Sequence, residues 1–331
     1  MSDFIVSFCV PVYENAEVAY RIASDLLENP DERFQVVMSD GQSKDDTVLR
    51  LLEIKDRRLK VCVNQEGAAA TLNWYNALEN GDGRYLYLVM GRDKLRANGI
   101  TYLIEQLLWA QRQGIALMKD RADHRGELSR YDAYYFFCMQ DHPTGIIFER
   151  KSFRNIIKRK SYFETDEIFP EIGIACELIR RARGAICDCR VFSSETYIDR
   201  SLVKSKLQIG RKDQFFFPKR RVKQILDMID LITADHKLTA KEREKLVLSR
   251  CYLAFMQVSE QWKEWMHNET DVLHYGLEKR EVSVNEQIRN IREAEREICA
   301  CIKKYEWYGI VMRLKIKREA VHAIRHIYGD K

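Results

Sequence analysis

The sequence has few residues that interrupt regular structure and no long apolar run. Five prolines and fifteen glycines among 331 residues leave no proline-rich linker, so long disordered segments are not expected. The longest apolar stretches, such as Ala133–Met139, are far shorter than the ~20 residues that cross a bilayer. The N-terminus carries no basic segment before the strand-length apolar run Phe4–Val10. A membrane-spanning protein and a signal peptide are therefore not expected.

The sequence also lacks a disulfide or zinc pattern and a strong charge of one sign. Nine cysteines is an odd number, and the pairs at 187/189 and 299/301 are CxC without partners at zinc spacing. Reduced thiols and a cytoplasmic protein are the resulting expectation. The formal net charge of +5 is too small to indicate a nucleic-acid partner.

Apolar runs and helical patterns alternate over the first two thirds of the chain. The apolar runs predict strands at Phe4–Val12, Phe34–Met38, Leu59–Val63, Arg84–Met90, Ile115–Lys119, Tyr131–Met139 and Ile146–Phe148. The 3.6-residue patterns predict helices at Glu14–Leu27, Thr47–Ile54, Thr71–Leu78, Ile100–Gln113 and Ile172–Ala182. This order predicts an α/β fold with a mostly parallel sheet flanked by helices, whose ligand lies at the carboxyl ends of the strands.

Beyond about residue 219 the strand pattern ends. Helical periodicity continues through Arg221–Ile232, Ala240–Trp265, Asn285–Lys304 and Tyr308–Tyr328. We therefore predict two domains, 1–218 and a C-terminal helical module at 219–331.

Four motifs occur in register along the first 95 residues. They are Val10-Pro11-Val12-Tyr13-Glu14-Asn15, Ser39-Asp40-Gly41-Gln42-Ser43 followed by Asp45-Asp46-Thr47, Asn64-Gln65-Glu66-Gly67 followed by Asn73, and Gly83-Arg84-Tyr85. In order and spacing they resemble the catalytic domain of family 2 glycosyltransferases, which have the GT-A fold. The resemblance implies an inverting, hexosyltransferase-type glycosyltransferase. It would move a sugar from a nucleoside-diphosphate sugar, expected to be UDP-linked, to an acceptor hydroxyl in surface glycan or polysaccharide synthesis.

The same resemblance implies which residues bind the nucleotide: Pro11, Val12, Tyr13, Glu14, Asp40, Gly67 and Asn73. Tyr13 offers a flat face for a base, and Asp40 can accept the N3–H of uracil. The alternatives are an ordinary strand-end aromatic at position 13 and a turn residue at position 40.

The chain departs from the family pattern in the loop Met90-Gly91-Arg92-Asp93-Lys94. Relatives carry two or three aspartates there, an Asp-x-Asp metal motif, whereas only Asp93 is acidic here. Asp93 can still hold Mn²⁺ or Mg²⁺ if diphosphate oxygens and waters complete the coordination. Alternatively Arg92 or Lys94 neutralises the diphosphate, or catalysis has been lost.

An inverting transferase needs a general base for the acceptor hydroxyl. By resemblance, Glu171 at the start of a helix is the first candidate, followed by Asp166 and Glu167; the alternative is that Glu171 is an ordinary first-turn acid. His142, Thr144 and Gly145 resemble the loop beneath the acceptor, a glycan or lipid-linked glycan.

The last 29 residues hold eight lysine and arginine residues against three acidic ones, so their net charge equals that of the whole chain. Val311, Leu314, Val321, Ile324 and Tyr328 form an apolar stripe on the last predicted helix. Such a helix suits the inner face of a membrane, a solvated outer face or a homo-oligomer contact. A catalytically inactive relative that acts as a binding or assembly module is the alternative function.

Overall fold

The protein is described from a computed structural model at residues 4–65, 70–120, 126–138, 143–157, 170–187, 191–197, 217–267 and 279–329. The chain divides into two compact units, Met1–Leu207 and Gln208–Lys331. The first described element of the second unit begins at Pro218. The domain boundary after residue 218 stays a prediction.

Eight of the ten described strands of the first unit form one main sheet. They are β1 (Val6–Val12), β2 (Phe34–Asp40), β3 (Leu59–Val63), β4 (Tyr85–Leu88), β6 (Ile115–Asp120), β7 (Gly126–Glu127), β8 (Ile146–Glu149) and β9 (Arg183–Cys187), with the order β3-β2-β1-β4-β8-β6-β9-β7. A separate antiparallel ribbon pairs β5 (Asp93–Leu95) with β10 (Phe192–Thr196). Apart from the segment at 131–139, the predicted strands are confirmed, with their ends shifted by at most two residues.

Helices cover the sheet because its central strands are apolar on both faces. Every residue of β1 is buried, and the Phe8 ring lies 5.8 Å from the Phe34 ring and 5.0 Å from the Tyr87 ring, centroid to centroid. The helices of this unit are α1 (Ala16–Leu27), α2 (Thr47–Leu52), α3 (Ala70–Glu79), α4 (Ile100–Gln113), α5 (Arg130–Cys138), α6 (Arg150–Ile157) and α7 (Pro170–Arg181).

The sheet brings several loops to one edge. β1 is parallel to both β2 and β4, with Val12 paired to Asp40 and Cys9 paired to Leu88. β8 runs antiparallel to β4 and β6, with Ile147 opposite Tyr87. Residues that precede β8 therefore lie at the same edge as residues that follow β1, β2 and β4, which is where ligands bind in open α/β sheets.

The strand predicted at 131–139 is wrong, because Arg130–Cys138 is helix α5. Its aromatic composition favours a strand, but its N-terminus carries a helix cap. The Asp132 N–H donates to Ser129 Oγ at 3.1 Å, and Ser129 Oγ donates to the Asp132 carboxylate at 2.5 Å. Ala133, Tyr134 and Phe137 are buried at helical spacing. The cap and this tertiary packing outweigh local propensity.

The described residues of the second unit are helical. The helices are α8 (Pro218–Thr233), α9 (Ala240–Met256), a π-helical turn (Gln257–Gln261), α10 (Trp262–His267), α11 (Val284–Cys301), a 3₁₀ turn (Ile302–Lys304) and α12 (Ile310–Tyr328). The four predicted helices are confirmed, and the one predicted at 240–265 contains the π-helical turn. Helix α12 contacts α9 and α11 and buries Met312, Ile316, Ala320 and Ala323. None of the described helices is long and apolar enough to cross a membrane.

Candidate nucleotide and transfer site

The loops after β1 and β2 are held together at the edge of the sheet. The Glu14 N–H donates to Ser43 Oγ at 2.7 Å, and the Gly41 N–H donates to the Val12 carbonyl at 2.9 Å. Glu14 and Gln42 have φ angles of 45° and 65°, a left-handed conformation that non-glycine residues rarely adopt. Backbone strain of this kind clusters at binding sites.

Tyr13 presents its ring at the end of β1. Its hydroxyl donates to Glu14 Oε1 at 2.5 Å. Burial and this hydrogen bond raise the pKa of the Tyr13 hydroxyl well above its usual range. The phenol is therefore neutral at physiological pH, and Glu14 fixes its orientation.

Asp40 is a buried carboxylate at the end of β2. Its Oδ2 accepts the Ser43 N–H at 2.9 Å. Its Oδ1 is also buried, yet it has no hydrogen-bond partner among the described residues. Because a buried acceptor without a donor is costly, this oxygen is suited to accept a hydrogen bond from a ligand.

Asn73, on helix α3, forms hydrogen bonds to the ends of both β1 and β2. Its Nδ2 donates to the carbonyls of Val12 at 3.1 Å and Ser39 at 3.0 Å, and its Oδ1 accepts from Ser39 Oγ at 2.6 Å. These bonds position the loops that carry Tyr13 and Asp40. A direct contact between Asn73 and a nucleotide stays a prediction.

The loop after β4 packs directly onto the end of β1. A Cβ atom at Gly91 would lie 2.2 Å from the Pro11 carbonyl oxygen, so the close approach requires glycine. This contact brings Arg92 and Asp93 next to the segment that carries Tyr13.

Asp93 is buried and hydrogen-bonded to the loop that precedes β8. Thr144 Oγ1 donates to Asp93 Oδ2 and accepts the Met90 N–H at 2.8 Å. Arg92 Nε lies 3.9 Å from Asp93 Oδ1. On the other side, Lys119 Nζ donates to the Thr144 carbonyl at 2.7 Å. Thr144 therefore connects the predicted phosphate residues with the predicted acceptor loop.

Gly145 continues this connection with a left-handed φ of 88°. Its N–H donates to the Leu88 carbonyl at 3.0 Å, and its carbonyl accepts the Asp120 N–H at 2.9 Å. Asp120 is buried, and its Oδ2 accepts a hydrogen bond from the Tyr87 hydroxyl at 2.9 Å. The carboxyl ends of β4 and β6 are thereby joined through the residues that precede β8.

The arrangement does not fit a metal held by a cluster of carboxylates. Asp93 is the only acidic residue in the loop from Val89 to Leu95, and its carboxylate already bonds Thr144. Among the described residues, no group of three or more His, Cys, Asp or Glu side chains is placed to hold a metal ion. The charged residues flanking Asp93 are the cations Arg92 and Lys94.

The predicted catalytic residues are only partly described. Glu171 is buried in the first turn of helix α7, which packs against α5 and β6. Asp166, Glu167, His142 and Gly67 lie outside the described residues.

Sequence reasoning missed three polar residues of this edge: Ser43, Lys119 and Asp120. Ser43 lies inside a motif that drew attention only to Asp40. Lys119 and Asp120 form a charged pair at the end of the apolar run that begins at Ile115. A polar pair at the carboxyl end of a buried strand is the pattern by which the sequence could have identified Lys119 and Asp120, because ligands bind at these strand ends.

A mostly parallel sheet with its polar loops at one edge, followed by helices, is the architecture of a GT-A-type protein. No protein-family profile matches the chain. Over 110 residues the chain is 28% identical to the UDP-Glc:alpha-D-GlcNAc-diphosphoundecaprenol beta-1,3-glucosyltransferase WfgD of Escherichia coli, covering 33% of this chain. The alignment spans only 43% of that relative's length.

Solved structures share the fold over almost the whole chain. TarS 1–349 of S. aureus in complex with UDP superposes with a TM-score of 0.59 at 14% identity, over 97% of this chain and 89% of that one. TarS 1–349 in complex with UDP-GlcNAc gives a TM-score of 0.59 at 12% identity, over 97% and 90% of the two chains. These likenesses establish the GT-A-type fold of this chain.

Proposed function

We propose that the chain is a glycosyltransferase that moves a sugar from a UDP-linked donor to an acceptor hydroxyl in surface glycan synthesis. The observation that carries the proposal is the buried Oδ1 of Asp40, which has no donor among the described residues and lies at the strand end next to Tyr13. The similarity to WfgD and the fold of UDP-bound TarS support it. We also propose family 2 membership with a degenerate Asp-x-Asp motif, from the motifs around Pro11, Asp40 and Asp93.

Uracil matches the hydrogen-bonding groups at the proposed base site, which Asp40 and Tyr13 form. An ionised carboxylate only accepts hydrogen bonds, and N3 of uracil carries a hydrogen whereas N3 of cytosine does not. The ring of Tyr13 provides a stacking surface for the base. Asp40 and Tyr13 together therefore favour UDP over CDP.

We propose an inverting transfer. The acceptor oxygen attacks the anomeric carbon opposite the diphosphate, a new glycosidic C–O bond forms, and the bond from that carbon to the diphosphate oxygen breaks with its electron pair on UDP. A general base takes the acceptor's proton. Glu171 is our first candidate because its carboxylate is buried at a helix start, and Asp166 and Glu167 are the others.

The diphosphate needs a positive partner during this step. A divalent cation held by Asp93 and the diphosphate oxygens is one candidate, and the guanidinium of Arg92 is the other.

For the acceptor we propose a lipid-linked glycan at the inner, cytoplasmic face of a membrane, bound near Thr144, Gly145 and His142. WfgD is named for transfer to a sugar-diphosphoundecaprenol. In this chain, Ile310, Leu314 and Tyr328 are 80%, 60% and 59% exposed on one side of α12, the side opposite its buried residues. Lys317, Arg318 and Arg325 are exposed beside them. An exposed apolar row flanked by cations suits an anionic lipid surface.

Two observations favour the alternative of an inactive binding module. The only acid of the β4 loop is hydrogen-bonded to Thr144, and the described residues offer no metal cluster. That alternative predicts UDP binding without release of UDP from UDP-hexoses in the presence of a sugar-diphosphate lipid acceptor.

The first test is a thermal-shift screen of UDP, GDP, CDP and dTDP with and without Mn²⁺. A ligand at 100 times its Kd stabilises the native state by about 2.7 kcal/mol, so UDP should raise the melting temperature most. If none of the four nucleotides stabilises the protein, the transferase proposal is wrong.

A further inference from the structure

Arg92 has a partly buried guanidinium at the end of β4. Its side chain is 27% exposed. Its Nε is buried and makes no hydrogen bond to the described residues. The 3.9 Å between Arg92 Nε and Asp93 Oδ1 is too long for a hydrogen bond. The site therefore holds a buried cationic donor that is suited to an anionic acceptor.

The position of Arg92 matches the far end of a nucleoside diphosphate. Asp40 ends β2, Pro11 lies on β1, and Arg92 follows β4, in the strand order β2-β1-β4. Two strand spacings separate β2 from β4, about 10 Å, which is the length scale of a nucleoside diphosphate. Gly91 packs against the Pro11 carbonyl, so the loop that carries Arg92 lies against β1. A diphosphate that crosses β1 from a base at Asp40 would therefore end near Arg92.

Asp93 is engaged in holding this loop. Its carboxylate accepts the hydrogen bond of Thr144 Oγ1, and the same hydroxyl accepts the Met90 N–H at 2.8 Å. Asp93 is therefore a positioning residue that fixes the β4 loop and places a negative charge beside Arg92.

Lys94 is less suited than Arg92 to contact the diphosphate. In β5, Asp93 and Leu95 are buried and Lys94 points to the other face. Lys94 Nζ lies 3.2 Å from Glu195 Oε2, and its side chain is 45% exposed. Its charge is thus already balanced by a surface carboxylate.

We propose that Arg92 binds the donor's diphosphate and stabilises the charge that grows on UDP as the bond to the anomeric carbon breaks, without a divalent metal. A guanidinium presents several N–H donors to phosphate oxygens and keeps its charge at any physiological pH. The inference rests on the proposed function, since it assumes that the base of UDP binds at Asp40 and Tyr13.

The test measures uridine and UDP binding by calorimetry, in EDTA and in Mn²⁺, for the wild type, Arg92→Gln, Arg92→Lys and Arg96→Gln. Arg96 is an exposed arginine four positions later and serves as the matched control. We expect the wild type to bind UDP equally well in EDTA and in Mn²⁺. Arg92→Gln should weaken UDP binding about 10- to 100-fold and leave uridine binding unchanged. Arg92→Lys should lose less, and Arg96→Gln should match the wild type.

Two results would overturn the inference, and they differ in whether the proposed function also fails. If UDP binding requires Mn²⁺ and Arg92→Gln binds as the wild type does, a metal performs the role and the proposed function stands. If the wild type binds neither uridine nor UDP, the proposed function fails and this inference fails with it. Circular dichroism of each variant shows whether lost binding reflects lost folding.

Discussion

The hydroxyl of Thr144 donates a hydrogen bond to the buried carboxylate of Asp93, which lies 51 positions earlier in the chain. The same hydroxyl accepts the Met90 N–H. One side chain in the loop before β8 therefore bonds both the backbone and a buried carboxylate of the loop after β4.

Replacing Thr144 with valine should destabilise the first unit by about 1–3 kcal/mol, because it leaves the Asp93 carboxylate and the Met90 N–H without this partner. Chemical denaturation of the whole chain measures the loss. Thr233→Val is the matched control, since Thr233 Oγ1 is buried without a hydrogen-bond partner among the described residues. That variant should be neutral or slightly stabilising. Equal losses in the two variants would contradict the role given to Thr144.

A substitution at Gly91 tests the contact between the two loops. Gly91→Ala places a Cβ atom 2.2 Å from the Pro11 carbonyl oxygen, so the β4 loop must move away from β1. We expect a loss of about 1–3 kcal/mol in stability together with weaker UDP binding. Gly309→Ala is the control, because no atom lies within 4 Å of a Cβ there. A Gly91→Ala variant that binds UDP normally would argue against this packing.

Asparagine at position 40 should change base preference. The Ser43 N–H needs an acceptor, so the amide oxygen of Asp40→Asn would take that place and turn its NH₂ group towards the ligand. An NH₂ group opposes the N3–H of uracil and suits N3 of cytosine. We expect UDP binding to weaken about 10- to 100-fold and the preference for UDP over CDP to shrink or reverse.

The control for that variant is Asp82→Asn. Asp82 precedes β4 at the opposite edge of the sheet and pairs with Lys60. Titrations with UDP and CDP should leave its preference unchanged. Unaltered UDP binding in Asp40→Asn would remove Asp40 from the base site.

The second unit should lose stability in acid through Glu286. Its hydrogen bond with Arg280 lowers the pKa of the Glu286 carboxyl below its usual value. The stabilisation is complete above the unfolded-state pKa of about 4.3 and is lost as pH falls through the lower folded-state value. Because Arg280 is partly exposed, we expect on the order of 1 kcal/mol or less. The stabilities of Glu286→Gln and wild type should differ at pH 7 and converge as the pH falls through the lowered folded-state pKa of Glu286, whereas the exposed control Glu297→Gln should show no such convergence.

The exposed row on α12 should bind anionic membranes. Leu314→Glu places a negative charge in the middle of that row, so co-sedimentation with vesicles rich in phosphatidylglycerol should fall several-fold. Leu49→Glu, at a position 65% exposed on α2, is the control and should bind as the wild type does. Binding that ignores vesicle charge, or self-association through α12 in place of lipid binding, would contradict the assignment.

The sequence predicted the strand and helix order because buried strands and amphipathic helices leave local periodic patterns. The bounds of Leu59–Val63 and Ile100–Gln113 agree with the structure residue for residue. The segment at 131–139 was mispredicted since burial of Tyr134 and Phe137 depends on tertiary neighbours that local composition does not reveal. The hydrogen bond between Thr144 and Asp93 could not be predicted from the sequence for the same reason, although both residues are site candidates.

The register of strand β8 in the core of the sheet determines where Thr144 lies at the site. The strand runs against both of its neighbours, so the chain arrives at the site edge just before this strand begins and leaves at the opposite edge. A slip of one residue would turn its side chains to the wrong faces and move Thr144 by about 3.4 Å, which is enough to break its bond to Asp93. A measurement of nucleotide binding at the sheet edge would therefore also test whether β8, inside the sheet, has the correct register.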